Sequence, residues 1–278
     1  MNENLKIPLN PYKWTPFRAS LALVIGLVAV IALGRMCLDT GFLPSKFAES
    51  LSGDNLGGIN MLKDIVHPDF SPELLLKLSR KMLETIEIGF LGTLLAVILS
   101  LPLGFIGAFN LMGKKYPQRG IFYSTRVLFN AVRAFEAFIL LLILASIFGY
   151  NALAGIIAIG IHSVGMLGKL YSEAIENVDK GPIEAIQAVG GNRLQVIFYG
   201  ILPQTFPLFI GYSLYRFDIN VRMAVILGYI GVGGIGELVL QYINYMHFQK
   251  LSTTFILTLI VITLIDYLST LVRNKVLA

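Results

Sequence analysis

The chain has 278 residues, of which 55% are hydrophobic and only 14% charged, where an ordinary soluble domain carries about 25% charged residues. That balance excludes a water-soluble enzyme of ordinary composition. The 27 Gly and 11 Pro follow no short period, which excludes collagen-like and coiled-coil fibres, and a net charge of +5 is small for a nucleic-acid binder.

The single cysteine, Cys37, forms neither an intrachain disulfide nor a thiolate metal cluster. The chain therefore reads as an all-α integral membrane protein, and the question is of which kind. A spanning helix needs about 20 mostly apolar residues. Residues 19–34 are uncharged between Arg18 and Arg35, and a snorkelling Arg35 extends the first span to Leu38. Arg35-Met36-Cys37-Leu38 stands where a signal peptide would carry its small-residue cleavage site, so this helix is expected to be retained. Segment 39–83 mixes charges with Gly57-Gly58 and Pro68, and is expected to be a loop ending in a short interfacial helix from Pro72.

No charge interrupts Ile88 to Gly113, the second span. The uncharged run 137–168 is too long for one span and breaks at Phe148-Gly149-Tyr150-Asn151 into the third and fourth. A fifth span is expected from Pro203 to about residue 230 and a sixth from Leu251 to Val272, about six transmembrane helices in all. Trp14, Tyr150 and Tyr245 stand near span ends and read as interfacial anchors.

Lys6, Lys13 and Arg18 precede the first span, Lys114, Lys115, Arg119 and Arg126 follow the second, and Arg273 and Lys275 follow the last. In a six-span chain these basic groups fall on one side, which makes both termini cytoplasmic. The division is then a cytoplasmic segment 1–18, a first span 19–38, an extracytoplasmic segment 39–83, a core 84–272 of five spans, and a cytoplasmic tail 273–278.

Within the core, 172–203 is too polar to span and too patterned for a slack loop. Gly181-Pro182 opens a short helix running to Val189, because proline suits the first helical position. Gly190-Gly191 supplies the left-handed bend that ends it. Asn192 caps a second helix, which Pro203 closes. Ala185, Ala188 and Gly190 keep this elbow slim, either as a knob for a groove on another protein or as an amphipathic helix resting on lipid headgroups.

Here a resemblance emerges. Glu184, Ala185, Gly190, Leu202 and Pro203 stand at the positions of the EAA loop of permease subunits of bacterial ABC importers, with Ile186 in place of the third Ala and Gly200 in place of the Ile. The stretches ETIEIGFLGTLLAVILSLPLGFIGAFN (84–110), RVLFNAVRAFEAFIL (126–140) and LYRFDINVRMAVILGYIGVGGIG (214–236) resemble phosphonate-type permeases, so that the likeness covers about residues 68–270. The resemblance implies a type I ABC importer fold in a bacterial inner membrane and a dimer with a second copy of the chain. It also implies an extracytoplasmic substrate-binding protein and a cytoplasmic ABC ATPase dimer that docks on the EAA loop. Pro182, Glu184, Ala185, Ala188, Gly190, Gly191 and Pro203 are the coupling residues it points to. No cofactor is expected in this chain, since it has no Walker A sequence, and ATP and Mg belong on the partner. The glycines of the literal G-x-G-x-x-G at Gly231, Gly233 and Gly236 follow a membrane helix rather than a strand, so they read as a bend and a close packing point.

Charges within spans are costly and therefore informative. Arg126, Arg133 and Glu136 are spaced to share one face of the third helix, with Arg133 and Glu136 paired at i,i+3, either as a lock between helices or along a substrate path. On the fifth, Asp218 and Arg222 pair at i,i+4 while Arg216 points elsewhere. Two arginines near one acid leave positive charge that suits a passing phosphonate, phosphite or phosphate, since guanidinium forms forked bonds to such oxygens. His162 has no metal-ligating companions and reads as a hydrogen-bonded packing residue; no metal site and no catalytic residue is expected. Alternatives are a secondary transporter, which leaves 182–190 without a task, an ABC permease for a different small solute, and an intramembrane enzyme. The enzyme's only tempting pair, His162 and Ser163, points about 100° apart on a helix.

Overall fold

A computed structural model describes residues 16–39, 63–112 and 118–277, and its long segments are all helical. Expectations resting on Lys6, Lys13, Trp14, Gly57-Gly58, Lys114 and Lys115 lie outside the described residues. The chain divides into two units, Met1–Leu62 and Lys63–Ala278. The first contains α1 (Pro16–Asp39), whose consecutive Leu23, Val24 and Ile25, pointing about 100° apart, are all exposed. A helix apolar all round belongs in lipid or a protein core, not in water.

The second unit runs α2 (Pro72–Ile106), α3 (Phe109–Met112), α4 (Gln118–Ala134), α5 (Ala137–Phe148), α6 (Ala152–Glu176), α7 (Lys180–Ala188), α8 (Arg193–Val232), α9 (Ile235–Asn244) and α10 (Phe248–Leu277). Five helices (α1, α2, α6, α8 and α10) are long and apolar enough to cross a membrane, and α4 with α5 makes a sixth if that bent pair is one span. The chain is a multi-pass, all-α membrane protein.

The core is built on α2 against α6. Gly92, Ala96, Ser100 and Gly104 recur every fourth residue on α2 and are all buried, a stripe of small residues that lets two backbones approach. Lipid offers apolar side chains no worse a home than a helix interface does, so close van der Waals fit holds these helices together. Ala96, Leu167, Tyr171, Ile201 and Phe209 form one apolar cluster near the end that carries α7, and Ile88, Leu141, Ile159, Ala224 and Leu227 form the next.

Four expectations need correction. No separate interfacial helix starts at Pro72: α2 is one helix of 35 residues, about 52 Å long at 1.5 Å per residue and thus longer than the ~30 Å hydrocarbon layer. Pro72 occupies the first turn, where its missing N–H costs nothing. The third span is not one straight helix, because α4 stops at Ala134 and α5 leaves at 88°. Pro203 does not close the helix that Asn192 caps. The turn before it, Val196–Ile201, is π-helical, and the helix passes through Pro203 without ending. The elbow helix begins earlier than Pro182, at Lys180, with Asp179 as its cap.

At the far end, Gly231, Gly233 and Gly234 have φ of 98°, 107° and 77° and turn the chain from α8 into α9, which is the bend the glycine cluster predicts. The Ile235 N–H that opens α9 donates to Thr85 Oγ1 on α2 at 2.8 Å, and Lys81 Nζ bridges Glu84 and Glu237 at 2.9 and 2.8 Å. Thr85→Val is expected to strand that buried N–H at a cost of about 1–3 kcal/mol. A melting temperature lowered in Thr85→Val and retained in Thr85→Ser, measured on the full chain, checks this.

Candidate functional site

Two features stand out, a polar elbow at one end of the bundle and an open, charged cavity between its helices. In the elbow, the Asp179 side chain accepts from Gly181 N–H at 3.1 Å and starts α7. Gly190, at φ +81°, reverses the chain. Gly191 has another reason to be glycine: its N–H donates to Ile186 O at 2.9 Å, and a Cβ there would stand 2.7 Å from that same oxygen. Asn192 and Gln195 then form a reciprocal capping box, Asn192 N–H to Gln195 Oε1 at 2.7 Å and Gln195 N–H to Asn192 Oδ1 at 2.9 Å.

Ile183 and Ile186 of α7 turn inward against the Tyr171–Phe209 cluster, whereas Pro182, Glu184, Ala185, Ala188 and Gly190 are exposed. Ile183 and Ile186 are thus partly covered by the chain itself. An amphipathic helix resting on lipid would turn them outward, so the geometry favours a knob. Val189 is 85% exposed at its tip, with Leu194, Phe198 and Tyr199 also exposed on the next turns. Pro203 is exposed too, but it sits on α8 beyond the elbow.

Two anchors of this elbow went unread in the sequence. Gln204 Oε1 accepts from Asp179 N–H at 2.9 Å while its Nε2 donates to Gly200 O at 2.6 Å, tying the start of α7 to α8. Arg126 reaches Glu176 at 2.6 Å and donates through Nε to Gly107 O at 2.9 Å. Arg126 is therefore a joint between α4, the end of α2 and the end of α6, more than a flanking charge. Glutamine so soon after Pro203 is the one local signal that marked the first anchor; the second joins residues far apart in the chain.

The cavity, about 620 Å³, is bounded by Asn130, Arg133, Ala134, Glu136, His162, Met166, Arg216, Ile219 and Met223. Of the charged residues singled out in the sequence, it brings Arg133, Glu136 and Arg216 together. Arg133 and Glu136 do not pair along one helix, because Glu136 stands beyond the end of α4, in the extended residue that precedes α5. Asp218 and Arg222 lie outside the lining and pair with each other at 2.5 Å. The expected excess of cations around Asp218 is thus replaced by a cavity holding two arginines and one glutamate. His162 Nδ1–H donates to Phe135 O at 2.9 Å, meeting a carbonyl that the broken helix leaves without its ordinary partner. Ser163 bonds to Asn220 and Arg216 rather than to His162, so the enzyme-like pair does not form. No group of three or more metal-ligating side chains occurs among the described residues.

The chain as a whole is similar to known proteins. Residues 100–277 match the family described as binding-protein-dependent transport system inner membrane component. A phosphite transport system permease protein of Stutzerimonas stutzeri is 36% identical over 195 residues, covering 70% of each chain. The phosphate-import permease protein of Mycolicibacterium smegmatis is 34% identical over 192 residues, covering 69% of this chain and 35% of that one. Among solved structures, a chain of the MetNI methionine ABC transporter in an inward-facing conformation superposes with a TM-score of 0.66 at 21% identity, covering 74% of this chain and 99% of that one. At that identity the likeness speaks for the fold, which is that of a type I ABC importer permease.

Proposed function

This chain belongs to the family of inner membrane components of binding-protein-dependent transport systems, and from that premise we propose that it forms the path by which a small phosphorus oxyanion enters the cell. Phosphite, phosphonates and phosphate make up the proposed class. The work is driven by ATP hydrolysed with Mg on a separate cytoplasmic ATPase dimer, and an extracytoplasmic binding protein delivers the cargo to a pore between two copies of this chain. Both termini and the elbow face the cytoplasm of a bacterial cell.

The observation that carries the reading is the elbow. Ile183 and Ile186 pack inward, Glu184, Ala185, Ala188 and Val189 are presented outward, and both ends are tied to membrane helices. Closure of the ATPase would press on Pro182, Glu184, Ala185 and Ala188. Gln204 would pass that push from Asp179 into α8, and Arg126 with Glu176 would pass it from α6 to α4 and α2. A secondary transporter has no use for such a handle. Likeness at 34–36% identity to phosphite and phosphate permeases supports the cargo class.

Vesicles containing this chain, its co-expressed ATPase and the binding protein are expected to accumulate phosphite only with ATP. Uptake at full rate without the ATPase overturns the reading, and accumulation of methionine in place of all phosphorus oxyanions overturns the cargo class.

A further inference from the structure

Four polar side chains, Arg216, Ser163, Asn220 and Thr93, are buried among α2, α6 and α8. They form one directed chain. Arg216 Nε donates to Ser163 Oγ at 3.0 Å, Ser163 Oγ donates to Asn220 Oδ1 at 2.9 Å, Asn220 Nδ2 donates to Thr93 Oγ1 at 2.9 Å, and Thr93 Oγ1 donates to Gly89 O at 2.7 Å. All four residues are 6% exposed or less. Every hydroxyl both gives and receives, so the series has one polarity, beginning at a cation and ending on a backbone acceptor.

This chain holds one edge of the Arg216 guanidinium and leaves the rest unused. Nη2 is buried without any partner, on a side chain only 5% exposed that lines the 620 Å³ cavity. An arginine kept merely to lock helices is expected to have its donors satisfied, because an unmatched buried charge is expensive. Arg133 lines the same cavity, and Met166, Ile219 and Met223 give it an apolar wall.

From this arrangement, and resting on the oxyanion-permease reading above, we propose that the cavity is a transient subsite in which Arg216, oriented by Ser163 and Asn220 and seconded by Arg133, receives the oxygens of a phosphite or phosphonate group. Planar guanidinium suits such oxygens because two N–H bonds meet two acceptors at once. The apolar wall accommodates the carbon substituent of an organophosphonate. Glu136, in the same lining, opposes an anion and keeps the hold weak, as release requires.

The test is direct binding to the intact permease–ATPase complex in detergent, read as broadening of the phosphorus-31 resonance of methylphosphonate and, separately, of phosphite. Wild type is expected to broaden both lines. Arg216→Gln should weaken binding at least tenfold, while Arg80→Gln, removing an equal charge at an exposed position outside the cavity, should retain it. Ser163→Ala keeps the charge but frees Nε, and is expected to weaken binding about threefold; a purely structural Ser163 would move the melting temperature and leave the line width alone. Ala134→Trp fills the cavity without touching the hydrogen-bonded chain and should abolish broadening, so it decides the matter if Arg216→Gln fails to assemble. Transport by wild type together with undiminished broadening in Arg216→Gln or Ala134→Trp overturns the subsite alone. Wild-type vesicles that accumulate no phosphorus oxyanion overturn the reading beneath it.

Discussion

Replacing Gly104 by leucine is expected to prevent accumulation of folded protein. A Cβ at this position would lie 2.8 Å from the Tyr171 Cβ, and the obstacle is an atom bonded directly to the backbone of α6 rather than the far end of a flexible side chain. Tyr171 has nowhere to go. It is fully buried, its hydroxyl lies 2.6 Å from Ser213 Oγ, and its ring packs on Phe209 at a centroid distance of 4.5 Å. The alternative is to part α2 from α6, which removes the contact on which the bundle is built. Overpacking a tight core costs about 1–3 kcal/mol and occasionally more; with no room on either side, the upper end applies here. Gly120→Leu is the matched control, since a Cβ there meets nothing within 4 Å on α4 and leucine is the better helix former by roughly 0.8 kcal/mol. Size-exclusion profiles and melting temperatures of the full chain should separate the two, with Gly104→Leu aggregated and Gly120→Leu like wild type. A monodisperse Gly104→Leu melting at the wild-type temperature would show that the α2–α6 packing does not set stability.

That stripe of small residues was in plain view in the sequence, at 92, 96, 100 and 104, yet nothing local says which helix it faces. The same division between local and distant signals runs through the molecule. The spans were legible because a bilayer demands uninterrupted apolar length. The elbow was legible because Gly190 and Asn192 act on their own neighbours, through a positive φ and a side-chain cap. The Asp218–Arg222 contact has the i,i+4 spacing that a continuous helix dictates.

What stayed hidden depends on residues far apart in the chain. No glycine or proline marks the break between Ala134 and Ala137; the exposed Phe135 carbonyl there is met by His162, 27 positions on. The spacing of Arg133 and Glu136 consequently suggested a pair on a helix that does not continue. Arg126 looked like a flanking charge because its partner is Glu176, 50 residues away. Pro203 misled in the opposite sense, since a helix-ending residue was absorbed by the π-helical turn before it. Arg216 was singled out for its charge, but the hydrogen-bonded chain that aims it draws on three helices.

Gly190→Val is expected to uncouple transport while leaving the membrane bundle intact. At φ +81° the residue sits where a β-branched side chain is strongly disfavoured, at a cost of roughly 1–2 kcal/mol for the left-handed conformation alone. Space is not the issue, because nothing lies within 4 Å of a Cβ built there. The strain is purely conformational and is relieved by re-folding the bend, so it falls on the orientation of α7 and leaves the α2–α6 packing untouched. Ile183 and Ile186 then lose their register against the cluster beneath, and Glu184, Ala185 and Ala188 no longer present one fixed face to the proposed ATPase partner. Recognition of a rigid knob is lost more steeply than the strain itself, since each docking event must first restore the bend. In vesicles, Gly190→Val should reduce ATP-driven uptake at least tenfold and release the ATPase on purification, with a melting temperature within a few degrees of wild type. Gly190→Asn, whose side chain tolerates positive φ better than most, should recover much of both. If valine transports as well as glycine, the elbow is not the handle through which the motor acts.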